Sequence, residues 1–157
     1  LKPHKGQIKT AENIRNFVIT SHHHSNRRTQ DPYSLRCVPQ VHGASKDITE
    51  HVENTVVCEI NSVTDNPLLF IDKKDNIEVV SGGNFHGQHL ALALDYLAMG
   101  MAELANISER RMELLLNPNH SNGLPPFLIE NSGLNSGYMM LHVTASALIN
   151  ENKVYCH

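Results

Sequence analysis

The chain has 157 residues, 40% of them hydrophobic, and a mass of 17.5 kDa, enough for one domain with an ordinary core. Thirteen Lys and Arg stand against 16 Asp and Glu, a net charge of -3, so there is no basic excess to neutralise a phosphate backbone and nucleic-acid binding is disfavoured. A charged fraction of 18% is not that of a typical disordered chain, and no uninterrupted apolar run approaches the roughly 18 residues of a membrane span; the expectation is a soluble globular protein with no membrane partner.

Residues 1 to 36 read as a short helix, with Ile14, Phe17 and Val18 on one face, followed by a polar loop from Ser21 to Pro32 that ends in Gln30-Asp31-Pro32-Tyr33. From Pro39 to Val63 the positions Val41, Ala44, Ile48, Val52, Thr55 and Val56 recur at steps of three and four, opposite Lys46, Asp47, Glu50 and Glu53, which predicts a long amphipathic helix. Asp65-Asn66-Pro67 breaks it. Two β-leaning runs, Leu68 to Ile71 and Ile77 to Val80, flank the turn-forming Asp72-Lys73-Lys74-Asp75-Asn76 and predict a hairpin.

Gly82-Gly83-Asn84 leads into a second long helix, Phe85 to Leu116, with a stripe of Leu90, Leu94, Leu97, Met101 and Leu104 beside a stripe of Ala91, Ala98, Ala102 and Ala105. So wide an apolar face suits the interior of a helical bundle. Asn117 to Pro126 is a proline-broken loop, and a third helix runs from Ser136 to the end with no stop signal. That end, and a start at Leu1 with no leader pattern, lead to the expectation of a piece of a larger fold. Cys37, Cys58 and Cys156 form an odd, widely spaced set without CxxC, which fits free thiols in a reducing compartment and a cytoplasmic location.

Five constellations could carry chemistry. His22-His23-His24 offers imidazole ligands but lacks carboxylate or thiolate partners at metal-site spacing, so a solvated loop is expected and no metal. Gly82-Gly83-Asn84-Phe85-His86-Gly87 is either a functional loop tip at a helix N-terminus or a tight turn requiring glycine dihedrals. Tyr33 and Arg36 share a face if the chain is helical there, and the Arg fork suits a substrate carboxylate; the competing reading is a structural salt bridge to Asp or Glu. Glu109-Arg110-Arg111 with Glu113 reads as a solvated, salt-bridged helix end, and Asn61, Asn66 and Asn84 as caps and turns.

Several motifs together go further. Gln-Asp-Pro-Tyr-Ser-Leu-Arg-Cys at 30 to 37, Pro-Gln-Val-His-Gly at 39 to 43, Glu-Ile-Asn-Ser-Val-Thr-Asp-Asn-Pro at 59 to 67 and Ser-Gly-Gly-Asn-Phe-His-Gly at 81 to 87 resemble the aromatic amino-acid ammonia-lyase family, its histidine-acting branch most closely. Leu-Ala-Asn-Ile-Ser-Glu-Arg-Arg at 104 to 111, Leu-Pro-Pro-Phe-Leu at 124 to 128 and Gly-Leu-Asn-Ser-Gly at 133 to 137 continue the resemblance in order, over nearly the whole chain.

The resemblance implies an all-α bundle of long helices with one small hairpin, shared with the fumarase-type lyases in architecture, of which residues 1 to 157 are a partial central region. It implies a homotetramer whose active sites are built by several subunits. It implies elimination of ammonia from L-histidine to trans-urocanate, with a methylidene-imidazolone made from an Ala-Ser-Gly that this chain does not contain. By the same resemblance Arg36 binds the substrate carboxylate, Tyr33 sits beside the prosthetic group, Phe85 shields it from water, and Gln30 and Asn66 are polar neighbours in that same pocket; the base lies outside these 157 residues. General acid and base groups, typically good for about 10²–10⁴-fold, would not suffice without such an electrophile. Within the family, tyrosine or phenylalanine ammonia-lyases and aminomutases share the Tyr, the Arg and the Gly-Asn-Phe turn, and a non-catalytic helical assembly piece is the reading from another class.

Overall fold

Two long helices crossing at small residues set the frame of the computed structural model, which describes residues 1–22 and 29–156. In chain order the described elements are α1 (Lys5–Val18), α2 (Tyr33–Arg36), α3 (Val38–Ile60), β1 (Leu68–Ile71), β2 (Ile77–Val80), α4 (Gln88–Leu116) and α5 (Met139–Cys156), with one short 3₁₀ turn at Pro126–Leu128. The all-α architecture with a single hairpin is as the sequence predicts. β1 and β2 pair antiparallel, Leu68 opposite Val80 and Ile71 opposite Ile77, over the predicted boundaries. Asp72 holds their turn by accepting from the backbone N–H groups of Lys74 (2.6 Å) and Asn76 (3.0 Å).

Helix ends differ from expectation for local reasons. α3 stops at Ile60 because Asn61 Nδ2 and Ser62 Oγ donate back to the carbonyls of Val57 and Cys58, both at 2.7 Å, and compete with a further helical turn. α4 starts at Gln88 rather than Phe85, since His86 N–H closes a turn on the Gly83 carbonyl (3.0 Å). α5 starts at Met139 rather than Ser136, because Gly137 has a φ of 51° and a Cβ there would lie 2.5 Å from the Phe127 carbonyl oxygen.

α1 does not dock through Phe17 and Val18, which are exposed, Phe17 to 81%; Ile14 is half-buried. The contact is made by Gly6 and Thr10, which are buried. Gly6 and Gly43 bring the backbones of α1 and α3 together so closely that a Cβ on Gly43 would lie 2.5 Å from Gln7 Cα. Gly6 N–H then reaches Asp47 Oδ1 (2.7 Å) and Lys46 Nζ reaches Thr10 Oγ1 (3.0 Å). Where α3 crosses α4, Ile48 packs on Gly100, and the buried Ser45 hydroxyl donates to the Gly100 carbonyl (3.1 Å).

The salt bridge predicted at the end of α4 forms between Glu109 and an exposed Arg110, but Glu109 itself is buried in a junction with α5. Glu109 is 3% exposed. It accepts from Arg110 Nε (2.6 Å), His142 Nε2 (2.9 Å) and Ser146 Oγ (3.1 Å), the last two on α5. The guanidinium of Arg110 and these further donors outweigh burial and hold the carboxyl at about 2, well below its ordinary 4.5. Glu109 lies seven residues before Leu116, and both are buried, so charge alone conceals a packed position.

The described residues bury few apolar side chains: Val52, Ala93, Ile107, Leu116 and Ile149 form the core. The accessible surface is 12094 Å², whereas a compact monomer of this mass exposes about 7,900 Å². Exposed Leu92, Leu94, Met101, Leu141, Val143 and Leu148 lie along α4 and α5, so these helices present wide apolar faces that α1 to α5 do not cover. By length and composition alone α4 could also cross a membrane, although Asp95 and Glu103 interrupt its apolar run.

Two outcomes follow for the intact protein. Gly43→Ala forces α1 away from α3 and costs about 1–3 kcal/mol, read as a lower Tm together with faster proteolysis within α1. Because Glu109 has a depressed pKa, its contribution is complete above pH 4.5 and is lost as the pH falls towards 2; Glu109→Gln should remove roughly 3 kcal/mol of that acid dependence, measured by denaturant unfolding between pH 6 and 2.5.

Candidate active site

Pro32 precedes α2 and supplies the carbonyl that receives Leu35 N–H (3.0 Å) and Arg36 N–H (2.9 Å), so the four residues Tyr33–Arg36 close a single helical turn. The condition on which Tyr33 and Arg36, three apart, share a face is thereby met. Arg36 Nη1 donates to Gln30 Oε1 at 2.6 Å. Among the described residues no carboxylate pairs with Arg36, so the structural salt bridge that competes with substrate binding is not formed. Tyr33 is 70% exposed; with Gln30 it borders a cavity of about 580 Å³ whose far wall is Glu103, Asn106, Ile107 and Arg110 of α4.

Arg111, also assigned to solvent by its charge, in fact faces α2 and α3. Its Nε donates to the Ser34 carbonyl (3.2 Å) and its Nη2 lies 3.0 Å from His42 Nε2. A guanidinium only donates, so His42 accepts through Nε2 and carries its proton on Nδ1. Burial, then the positive charges of Arg111 and Lys46, push the His42 pKa below its usual 6.5 and favour this neutral form. A signal was available: Arg111 falls four residues after Ile107, which is buried.

The other candidate residues lie elsewhere. Asn66 Oδ1 receives Gly82 N–H (2.9 Å) and Ser81 Oγ (3.2 Å), bracing the two ends of the hairpin, and the Asn66–Pro67 bond is cis. Asn84 Nδ2 donates to the Val63 carbonyl (2.6 Å), which fixes the loop and leaves Phe85 60% exposed. Gly82, Gly83 and Gly87 do not have the left-handed dihedrals expected of a tight turn, and a Cβ on any of them would meet nothing within 4 Å. The glycines leave open ground beside an uncovered aromatic ring. A cavity of about 680 Å³ next to this loop is lined by His51, Cys58, Asn84, His86 and His89. Of the histidine run, His23 and His24 lie outside the described residues.

The site residues thus form two groups, Gln30, Tyr33 and Arg36 near the C-terminal half of α4, and Asn66 and Phe85 near its start. Between His89 and Ile107, which border the two cavities, α4 rises about 27 Å. Among the described residues, neither of these two cavities is lined by both groups: the first takes Gln30 and Tyr33, and neither takes Arg36, Asn66 or Phe85.

A sequence model of the aromatic amino acid lyase family matches residues 1–157, and the chain belongs to that family. It is 55% identical over its full length to a histidine ammonia-lyase of Natranaerobius thermophilus, of which it covers 31%. The crystal structure of histidine ammonia-lyase from Trypanosoma cruzi superposes with a TM-score of 0.84 at 53% identity, over 99% of this chain and 28% of that one. A tyrosine aminomutase from Streptomyces globisporus gives 0.84 at 35% identity, over 98% of this chain and 33% of that one. The chain spans about a third of the length of these relatives.

Proposed function

We propose that the protein carrying this chain eliminates ammonia from L-histidine to give trans-urocanate, as a homotetramer in the cytoplasm. The observation that carries the reading is Arg36, a guanidinium without a carboxylate partner among the described residues, displayed beside Tyr33 and steadied by Gln30. Such a fork holds an amino-acid carboxylate through two parallel bonds. Support for histidine over tyrosine comes from the higher identity to the histidine enzymes, and support for assembly from the uncovered faces of α4 and α5.

The reaction needs an electrophile, because the β-proton of histidine is barely acidic and ammonia leaves poorly from an unactivated carbon. A methylidene-imidazolone built from an Ala-Ser-Gly outside these 157 residues would supply that activation. The residues here fit such a group: Phe85 offers an uncovered ring beside loop glycines with free space, suited to packing on a flat heterocycle and excluding water. Arg36 fixes the carboxylate, Gln30 orients the guanidinium, and the Tyr33 hydroxyl positions the reacting end of the substrate. Asn66, whose Oδ1 is engaged with the hairpin, keeps the Phe85 loop in place.

Urocanate absorbance tests the assignment in the full-length protein. Arg36→Ala and Arg36→Lys should each lower kcat/KM for L-histidine at least ten- to a hundred-fold, the loss of about 1.5–3 kcal/mol for a charge-assisted bond, since a Lys point charge lacks the planar fork. Tyr33→Phe should lower kcat more than it raises KM, and Lys73→Ala in the exposed hairpin turn should stay close to wild type. Near-normal activity of Arg36→Ala would refute the role.

A further inference from the structure

We propose that Arg111 and His42 form a clamp across the bend between α2 and α3, and that both are positioning residues for Tyr33 and Arg36; the inference rests on the reaction assigned above to α2. A helix of four residues does not hold itself together, because nucleation outweighs the few bonds it makes. Its own side chains give it little purchase: Tyr33, Leu35 and Arg36 are exposed and only Ser34 is buried. The chain turns from α2 into α3 at Cys37, whose dihedrals, φ -98° and ψ 15°, lie outside the helical range. The direction in which Tyr33 and Arg36 point is set by the angle of that bend.

Arg111 grips both arms of it. Nε binds the Ser34 carbonyl on α2 and Nη2 binds His42 on α3, while α4 anchors the guanidinium from a segment 77 residues away in sequence. Two donors in a rigid plane fix an angle as well as a distance, which a single ammonium cannot do. His42 serves only as an acceptor at Nε2, so a glutamine, whose carbonyl accepts and does not titrate, can replace it where a leucine cannot.

The test uses the full-length protein with Arg111→Lys, His42→Leu and His42→Gln. Arg111→Lys and His42→Leu should lower kcat/KM for L-histidine about ten- to a hundred-fold, as loss of a charge-assisted hydrogen bond does, with assembly size retained, and His42→Gln should recover most of the activity. Hydrogen exchange supplies a readout that does not depend on the reaction. The amides of Leu35, Arg36 and Cys37, which bond within this turn, should exchange faster in Arg111→Lys and His42→Leu, whereas those of α5 should not change. Unchanged exchange at these three amides, or His42→Gln behaving as His42→Leu, would overturn the clamp. If exchange accelerated as expected but the wild-type protein left L-histidine intact, the clamp would stand as a structural device and the reaction assigned to α2 would fall.

Discussion

A helix of 29 residues with apolar side chains around most of its girth is about 44 Å long, and the neighbours available within this chain do not cover it. α3 crosses it at Gly100, α5 joins it at Glu109, and much of the remaining leucine and methionine surface stays uncovered. From that constraint follow the small core and the large accessible surface. It also keeps apart the candidate residues near its two ends, Gln30, Tyr33 and Arg36 at one and Asn66 and Phe85 at the other.

Specificity within the chain comes from contacts at close quarters rather than from broad apolar burial. Gly6 against Gly43 and Ser45 against Gly100 let backbones approach, after which polar groups such as Asp47 and Thr10 complete the joint. At the far end of α4, Glu109 ties down α5 and Arg111 ties down α2 and α3, two charges one residue apart from Arg110 on either side, facing different neighbours. A buried charge left unpaired is costly, so each of these junctions tolerates only one arrangement of its partners.

This contrast explains what was legible in the sequence. Hairpin strands with β-branched and aromatic residues around an Asp-rich turn are locally determined, and their boundaries agree with the structure. The single turn at Tyr33–Arg36 was readable only as a condition, since four residues carry too little periodicity to show that they are helical. The docking face of α1 was not readable, because periodicity finds large apolar residues, whereas this contact is made by Gly6 and Thr10. Glu109 and Arg111 were misplaced for the opposite reason: charge suggested solvent, while their spacing from Leu116 and Ile107 put them on packed faces. The roles of Gln30, Asn66 and Phe85 rest on family resemblance, since their chemistry depends on groups these residues do not include.

The homotetramer proposed above, with Arg36 and Phe85 in separate groups within one copy, requires that the Arg36 and Phe85 of one active site belong to different copies of the chain. Mixing two full-length variants, Arg36→Ala and Phe85→Ala, each of low activity, measures it most directly after unfolding and reassembly together. If the two residues come from different copies, random assembly at equal amounts restores about one quarter of the sites to the unmutated pair, and urocanate formation rises well above the sum of the separate variants. Activity of the reassembled mixture no greater than the average of the two variants, with assembly size restored, would contradict it.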